Sequence, residues 1–164
     1  MRTTPVARPA HAVHFYTGRG FPSAHAAGLA KGALDAGHAA IIIATPLHLN
    51  IVRAALARSG HDVDALIEEG RLQLRYADAV LARLTADGNL DAERFEEGIA
   101  SPAARLAERF GGVRIYGELV DLLCREGRPE EAERYEALAA DLVSREPRIS
   151  VLCGYSLAAF AERG

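Results

Sequence analysis

Residues 39–44 read AAIIIA, an uninterrupted apolar run with three consecutive isoleucines, and Thr45-Pro46 follows it directly. β-Branched residues favour strands, and a strand without polar alternation is typical of one that is buried on both faces. Threonine before proline is a common beginning of a helix, because the hydroxyl can cap the helix and proline suits its first turn. The stretch therefore predicts a buried strand of a parallel sheet that leads directly into a helix.

Four further segments on either side of this run have strand character, and helical segments lie between them. The other predicted strands read HAVHFY at 11–16, LQLRY at 72–76, VRIY at 113–116 and ISVLC at 149–153. Predicted helices occupy the alanine-rich segment 20–36, the segment after Pro46, 62–70, 102–110 and the segment from Pro129 onward. Asp62 can cap the third of these helices, which is predicted to stop at Gly70. Ser101-Pro102 repeats the Thr45-Pro46 pattern, so we expect Ser101 to cap the fourth. This alternation predicts an α/β fold with a mostly parallel sheet of about five strands flanked by helices.

The composition is that of an ordinary globular protein. The chain has 164 residues, of which 49% are hydrophobic and 25% are charged, with a formal net charge of −3. Domains commonly have about 100–150 residues, so we expect residues 10–164 to form one domain and residues 1–9 a flexible N-terminal arm. Nucleic-acid-binding domains usually carry a basic excess, which is missing here, so we expect no direct contact with nucleic acid.

The sequence favours a cytoplasmic protein outside membranes. No apolar run approaches the ~18 residues that a membrane span needs, and residues 1–9 lack the apolar centre of a signal peptide. The two cysteines, Cys124 and Cys153, are far apart and fit no zinc-binding spacing, so we expect free thiols in a reducing compartment.

Ligands of parallel α/β sheets bind beyond the carboxyl ends of the strands, which makes the residues at those ends the first candidates for a site. The candidates at the predicted ends are Tyr16, Thr17, Thr45, Tyr76, Asp78, Gly117, Glu118, Gly154 and Tyr155. Glu118 is the most informative of them, because a carboxylate at a strand end can orient a ligand or a histidine.

The turn after the first strand resembles a phosphate-binding loop only in part. It reads TGRGFPS at 17–23 and precedes a predicted helix, whose N-terminus could hold an anion. The Lys-Ser/Thr pair of a P-loop is missing throughout the chain, since Lys31 is its single lysine and lies within the predicted helix. Ser23 stands where G-x-G-x-x-G would need its third glycine. We expect no working P-loop here.

Metal binding and nucleophilic catalysis have little support in the pattern. His11 and His14 are three residues apart on a strand, so their side chains are predicted to face opposite sides of the sheet. Cys153 ends a buried strand with no base beside it, which fits a core or ligand-lining role better than a nucleophile. We therefore expect no metal ion, no cofactor and no catalytic residue.

The remaining histidines and one acidic group are interpreted as mostly solvated surface residues. The histidines interpreted as solvated are His25, His38, His48 and His61. The acidic group at 130, 131, 133 and 136 is interpreted as a solvated helix face, with Glu136 beside the packing stripe of Ala132, Tyr135, Leu138 and Leu142 and able to pair with an arginine.

Several segments, taken in order, resemble the MEDS family, the sensory domain of methanogens, methylotrophs and the dichloromethane-responsive regulator DcmR. These segments are HAVHFY at 11–16, the strand 39–45, IYGELVDLL at 115–123, EGRP at 126–129 with the following helix, and VLCGY at 151–155. The similarity covers residues 11 to about 160. Cys124 stands where a tryptophan is common in the family, and Gly154 where a residue such as alanine is usual.

The resemblance implies a three-layer fold of the RecA/KaiC-like type without a working P-loop. It also implies a sensor of small hydrocarbon derivatives, including methylated or halogenated ones, which usually works beside a histidine kinase or a transcription regulator. The residues expected to line the ligand site are His11, Tyr16, Tyr116, Glu118, Cys153 and Tyr155. Because these 164 residues hold no output module, we expect signalling through a separate protein or through oligomerisation, for example as a homodimer.

Three other interpretations stay open at this point. A degenerate nucleotide-binding domain would use the 17–23 turn with Arg19 in place of the lysine. A pure interaction protein would use a helix face and leave the cleft without a small molecule. An enzyme would need a convergent acid, base and nucleophile, which the sequence does not display.

Overall fold

The computed structural model describes residues 11–16 and 23–157. The predicted arm at 1–9, the turn residues Thr17 to Pro22 and the side chain of Ser23 lie outside the described residues. The strands are β1 (His11–Tyr16), β2 (Ala39–Ala44), β3 (Leu72–Tyr76), β4 (Thr85–Ala86), β5 (Asn89–Leu90), β6 (Val113–Gly117) and β7 (Ile149–Ser156). The helices are α1 (Ser23–Asp35), α2 (Pro46–Arg58), α3 (Val63–Glu69), α4 (Ala77–Leu84), α5 (Ala92–Phe95), α6 (Ser101–Phe110), α7 (Leu119–Arg125) and α8 (Pro129–Arg145).

Five strands form one parallel sheet in the order β1-β7-β6-β2-β3. All five predicted strands are confirmed; β7 continues three residues beyond its predicted end, and β6 one residue. No helix in the described part of the chain has the length and apolar character that crossing a bilayer requires. The sheet brings the carboxyl ends of five strands to one edge, as the sequence predicted.

The AAIIIA run forms β2, which lies between β3 and β6, and all six of its residues are buried. Ile41 and Ile43 pack in one apolar cluster, with side chains from α4 to α8. Ile42 packs in a second cluster on the opposite face, with side chains from α1, α2 and α3. Because successive side chains of a strand point to opposite faces, one apolar run supports both helical layers.

Helix boundaries follow the predicted capping residues at two of the three sites that the sequence marks most clearly. The Thr45 hydroxyl accepts a hydrogen bond from the backbone N–H of His48, and the Asp62 carboxylate accepts one from Ala65. The prediction that Ser101 caps α6 is wrong. Ser101 is itself helical, because α5 continues through a π-helical turn at Glu96–Ala100 directly into α6.

Pro102 lies within the continuous helical segment formed by α5, the π-helical turn and α6. Proline has no N–H to donate to the carbonyl four residues before it, which here belongs to Gly98. The Arg75 guanidinium donates to that carbonyl at 2.9 Å. A side chain from β3 therefore replaces the hydrogen bond that the proline cannot form.

Gly154 on β7 allows the ring of Tyr116 on β6 to lie directly against the backbone. A Cβ at position 154 would lie 2.5 Å from the Tyr116 hydroxyl oxygen and 3.1 Å from the ring carbon that carries it. Tyr116 is fully buried, so its ring has little room to move. Glycine is therefore required by the neighbouring tyrosine, although the backbone here is ordinary strand.

This close approach predicts non-additive mutations. Gly154→Ala should lower the free energy of unfolding by about 1–3 kcal/mol, because the added methyl group overpacks the core. Removing the Tyr116 hydroxyl with Tyr116→Phe should relieve most of that loss, so the double variant should be more stable than the sum of the two single effects. Urea unfolding of wild type, the two single variants and the double variant measures the coupling. Strictly additive effects would disprove the contact between position 154 and the Tyr116 hydroxyl.

Candidate functional site

A cavity of about 400 Å³ lies at the carboxyl edge of the sheet. It is formed by the end of β1, by the first turns of α2 and α4, and by α7 with the residue that precedes it. Its lining residues are Tyr16, Thr45, Pro46, His48, Ala77, Asp78, Glu118, Asp121, Leu122 and Arg125. Tyr16, Thr45, Asp78 and Glu118 are among the strand-end candidates that the sequence predicted.

A larger and more open concavity, of about 760 Å³, lies at the opposite edge, beside Gly111, Gly112 and Ile149. It is the wider space, but its lining contains no carboxylate. The carboxyl-edge cavity is smaller and brings three carboxylates, a histidine and an arginine together. Since ligands of parallel α/β sheets bind at the carboxyl edge, the smaller cavity is the better candidate site.

Glu118 is the central polar residue of this cavity. Its side chain is only 4% exposed, and its Oε1 lies 2.6 Å from His48 Nδ1. Its Oε2 accepts a hydrogen bond of 3.3 Å from the backbone N–H of Thr45, and Oε1 accepts one of 3.4 Å from the Tyr116 hydroxyl. The carboxylate therefore joins the first turn of α2 to the end of β6.

The placement of Glu118 follows from its position between a strand and a helix. Its backbone N–H donates to the Ile43 carbonyl of β2 at 2.9 Å, which continues the ladder between β6 and β2 by one residue. Its side chain does not cap its own helix, α7, but lies against the N-terminus of α2. A negative charge at that N-terminus is favourable, because the free N–H groups there carry partial positive charge.

Asp121 forms a second buried connection, one turn further along α7. It is 7% exposed, and its Oδ1 accepts a 2.7 Å hydrogen bond from the backbone N–H of Ser156 at the end of β7. Its Oδ2 accepts a 2.8 Å hydrogen bond from Arg125 Nε. Arg125 in turn hydrogen-bonds to Tyr16, and both neighbours raise the pKa of the guanidinium.

Burial and the carboxylates of Asp121 and Glu118 raise the pKa of Tyr16 to about 12, since each of them disfavours a phenolate. An unfolded chain ionises tyrosine near pH 10. Between these values the unfolded state releases a proton that the folded state retains, so stability should fall as pH rises from about 10 to about 12.

Urea unfolding at about pH 9 and about pH 11 tests this pH dependence. Wild type should lose stability between the two values, and Tyr16→Phe should lose less, because the variant has no phenol at this position. An equal loss in both proteins would show that Tyr16 does not ionise as described.

The other site residues predicted from the sequence form a separate cluster, on the face of the sheet that α8 covers. His11 Nε2 lies 2.6 Å from Glu136 Oε2 and 4.0 Å from Cys153 Sγ. The Tyr155 hydroxyl donates to Glu136 Oε1 at 3.3 Å. Burial is the main cause, and the charge of Glu136 the second, of a pKa of the Cys153 thiol well above its ordinary value. The same two causes also raise the pKa of Tyr155.

Strand alternation explains why the six predicted residues divide into two groups. In the register of β6 and β7, Tyr116 is opposite Leu152 and Gly117 is opposite Cys153. Tyr116 therefore faces α1 and α2, whereas Cys153 and Tyr155 face α8. Tyr16, Tyr116 and Glu118 belong to the carboxyl-edge site, and His11, Cys153 and Tyr155 belong to the cluster under α8.

Four sequence interpretations need correction. His61, interpreted as solvated, is only 17% exposed and lies 3.0 Å from Asp35. Glu131, placed on a solvated helix face, is 14% exposed and accepts a 2.7 Å hydrogen bond from the Leu90 N–H.

His48, which was interpreted as a solvated surface residue, has a side chain only 18% exposed and pairs with Glu118. Glu136 pairs with His11 and Tyr155 and not with an arginine. The His48 signal was in the sequence, since residue 48 belongs to the first turn of a helix that begins at a strand end.

Two further site residues were missed, and one prediction about histidines is confirmed. Asp121 and Arg125 lie four residues apart on α7, which is a spacing that a helix brings together, but neither was singled out. His11 contacts Glu136 of α8, while the His14 ring lies 4.1 Å from that of His25 on α1. The two β1 histidines therefore face opposite sides of the sheet, as predicted.

A parallel five-stranded sheet between two helical layers, with a polar cavity at its carboxyl edge, defines a three-layer α/β fold. The chain resembles the crystal structure of a KaiC-like protein from the hyperthermophilic archaeon Pyrococcus horikoshii OT3, with a TM-score of 0.50 and 16% identity. That match covers 90% of this chain and 62% of the archaeal one, so the chain spans less than two thirds of its length. The similarity shows a shared fold.

The family is shown by a different comparison. The model of the MEDS family, described as the MEthanogen/methylotroph, DcmR Sensory domain, matches residues 10–164. The chain therefore belongs to the MEDS family of sensory domains. No curated protein matches the sequence.

Proposed function

We propose that this chain is a non-catalytic sensory domain that binds a small molecule in the carboxyl-edge cavity and signals to a separate protein. The observation that carries the proposal is the Glu118–His48 pair, a nearly buried carboxylate held at 2.6 Å from a histidine in the wall of that cavity. Membership of a sensory-domain family supports the same interpretation.

The size and lining of the cavity favour a small, partly apolar ligand. Its volume of about 400 Å³ lies within the usual range for small-molecule pockets, about 300–1,000 Å³. Pro46, Ala77 and Leu122 offer apolar contacts, and Glu118 with Tyr16 offers hydrogen-bonding groups. A methylated or halogenated hydrocarbon derivative that carries one polar group matches this combination.

The lining supports recognition without bond breaking. Among the described residues of the cavity there is no serine or cysteine, and the Thr45 hydroxyl is engaged as the cap of α2. The carboxylate of Asp121 is held by Arg125 and by the backbone of Ser156. The polar groups are thus tied into the fold, which suits positioning of a ligand.

Signalling would follow from the position of the cavity between three helix N-termini. A ligand can shift a conformational equilibrium only if it binds one arrangement better than another. Contacts with α2, α4 and α7 at once would favour one spacing of these helices. We propose that a histidine kinase or a transcription regulator in the cytoplasm responds to this spacing on the outer faces of the helices.

Thermal unfolding against a panel of compounds tests the proposal. The panel contains methylated amines, short alcohols, chlorinated methanes, cyclic nucleotides, ADP and ATP with magnesium. A ligand present at about 100 times its Kd should stabilise the folded state by about 2.7 kcal/mol. For a chain of this size this corresponds to a rise in Tm of roughly 5–10 °C.

The variant Glu118→Gln keeps the shape of the side chain and removes its charge, so it should reduce the Tm shift given by the ligand. Glu69→Gln, an exposed position on α3, serves as the matched control and should leave the shift unchanged. Stabilisation by ATP with magnesium alone would instead favour the degenerate nucleotide-binding domain. Absence of a Tm shift with every compound would favour a protein-interaction module without a small ligand. Each of these two outcomes would contradict the proposal.

A further inference from the structure

The His11–Glu136–Cys153 cluster is not used by the proposed sensing site. Its three residues come from β1, α8 and β7, and the fold alone brings them together. One ligand-type atom from each residue lies within 4.8 Å of the other two. Within residues 11–16 and 23–157, no other group of three or more histidine, cysteine, aspartate or glutamate side chains converges in this way.

We propose that this cluster binds one divalent metal ion of the zinc type, with His11 Nε2, the Glu136 carboxylate and Cys153 Sγ as its ligands. Zinc binds imidazole nitrogen, thiolate sulfur and carboxylate oxygen, and three protein ligands are the usual number where one coordination position stays open. This donor set of one nitrogen, one sulfur and one oxygen suits zinc better than magnesium or calcium, which prefer oxygen ligands.

The separations between the ligand atoms are close to those that a bound ion requires. Zinc bonds of about 2.0–2.3 Å in a tetrahedral arrangement set neighbouring ligand atoms about 3.5 Å apart. The distance from His11 Nε2 to Glu136 Oε2 is 2.6 Å, and that from His11 Nε2 to Cys153 Sγ is 4.0 Å. The two distances lie on either side of the required value, and the separation between the Glu136 carboxylate and Cys153 Sγ is within 4.8 Å. Changes of about 1 Å would therefore bring the three atoms to the spacing of a bound ion.

One oxygen atom in the cluster has no hydrogen bond of its own. Glu136 Oε2 is buried, and its contact with His11 is close but does not form an aligned hydrogen bond. It is the sole buried side-chain oxygen or nitrogen without a hydrogen bond in the described part of the chain. A buried carboxylate oxygen that accepts no aligned hydrogen bond is costly, and a metal ion would satisfy it.

The remaining surroundings fit a site with an open position and a route for entry. Tyr155 holds the other carboxylate oxygen, Oε1, through its hydroxyl at 3.3 Å, which orients Glu136 as a neighbouring hydrogen bond commonly orients a metal ligand. The side chains of His11 and Glu136 are 20% and 18% exposed, and β1 is an edge strand of the sheet. An ion can therefore reach the cluster from solvent.

Cobalt titration of the full chain tests the proposal. After treatment with a chelator and its removal, Co²⁺ is added and the absorption spectrum is recorded. We expect a thiolate-to-cobalt charge-transfer band in the near ultraviolet that saturates at one ion per chain and disappears when Zn²⁺ is added. Cys153→Ser should abolish the band. Absence of the band in wild type, or its persistence in Cys153→Ser, would overturn the proposal.

Matched variants separate ligand loss from misfolding. Cys124→Ala removes the other cysteine and should keep the band. Loss of the band in Cys124→Ala would show that Cys124 binds the metal and would overturn the assignment. Loss of a residue that only hydrogen-bonds to a metal ligand typically weakens metal binding by about 10–100-fold. Glu136→Gln removes a direct ligand and should weaken Zn²⁺ binding by more than this. Glu133→Gln, an exposed position one turn earlier on α8, should leave binding unchanged. Equal affinity in Glu136→Gln and wild type would also contradict the site, even if Cys153→Ser fails to fold.

Discussion

Replacing Glu118 with alanine is expected to lower the free energy of unfolding by about 3 kcal/mol, because it removes a nearly buried carboxylate and leaves three neighbouring polar groups without this acceptor. The substitution removes the partner of His48 Nδ1 at 2.6 Å and the acceptor of the Thr45 N–H at 3.3 Å. It also removes an acceptor of the Tyr116 hydroxyl.

Urea unfolding measures this effect at neutral pH. Glu118→Gln should cost less than Glu118→Ala, because the amide oxygen can still accept hydrogen bonds. The exposed control Glu69→Gln should stay within about 0.5 kcal/mol of wild type. A loss of under about 1 kcal/mol in Glu118→Ala would mean that the carboxylate is more solvated than its contacts indicate.

Tyr116→Ala is expected to lower the free energy of unfolding by about 4 kcal/mol, since removal of a buried aromatic ring leaves a cavity in a close-packed core. Tyr116 is fully buried within the cluster formed with α1 and α2. Burial, together with the charge of Glu118, also raises the pKa of its phenol far above the ordinary value. The ring therefore contributes packing, and its hydroxyl remains protonated and donates to Glu118.

Comparison with Tyr116→Phe separates the two contributions. Removing the hydroxyl alone should cost about 1 kcal/mol, the usual net value of one hydrogen bond. Thermal or urea unfolding gives both numbers. Should the two variants be equally stable, the ring would not be filling the space that the structure assigns to it.

The sequence was sufficient for the parallel sheet because the strands carry their own signals. The apolar run 39–44 could be buried only in a strand with two covered faces, and Thr45 and Asp62 capped helices where their spacing predicted. Ser101 could not be interpreted correctly from its own pattern, because α5 continues through a π-helical turn into α6. The Gly98 carbonyl in this turn is bound by Arg75, which is distant in the sequence.

A short hairpin, β4 and β5, was overlooked although its turn has a sequence signal. Asp87-Gly88 connects the two strands, and both residues have positive φ, which is the requirement of the tightest hairpin turns. Each strand has only two residues, too few to show an alternating pattern. Contact with a distant helix also stabilises the hairpin. The Glu131 carboxylate of α8 accepts a hydrogen bond from the Leu90 N–H of β5.

Several residues of the candidate site were predictable one by one, but His48, Asp121 and Arg125 were not, and none of the pairs was predictable. Glu118 follows from its position at a strand end, whereas its contact with His48 depends on β6 lying beside β2. Similarly, Cys153 and His11 meet because β1 pairs with β7. Strand order depends on the packing of the entire chain, so no local pattern could have assigned these partners.

NMR mapping of ligand contacts shows where on the chain a small molecule binds. Backbone amide shifts of the isotope-labelled chain are followed while each compound of the panel is added in turn. A compound that binds should perturb the amides of residues 43–48, 76–80 and 117–125, which surround the carboxyl-edge cavity. Perturbations confined to other parts of the chain, or none with any compound, would contradict a ligand site in this cavity.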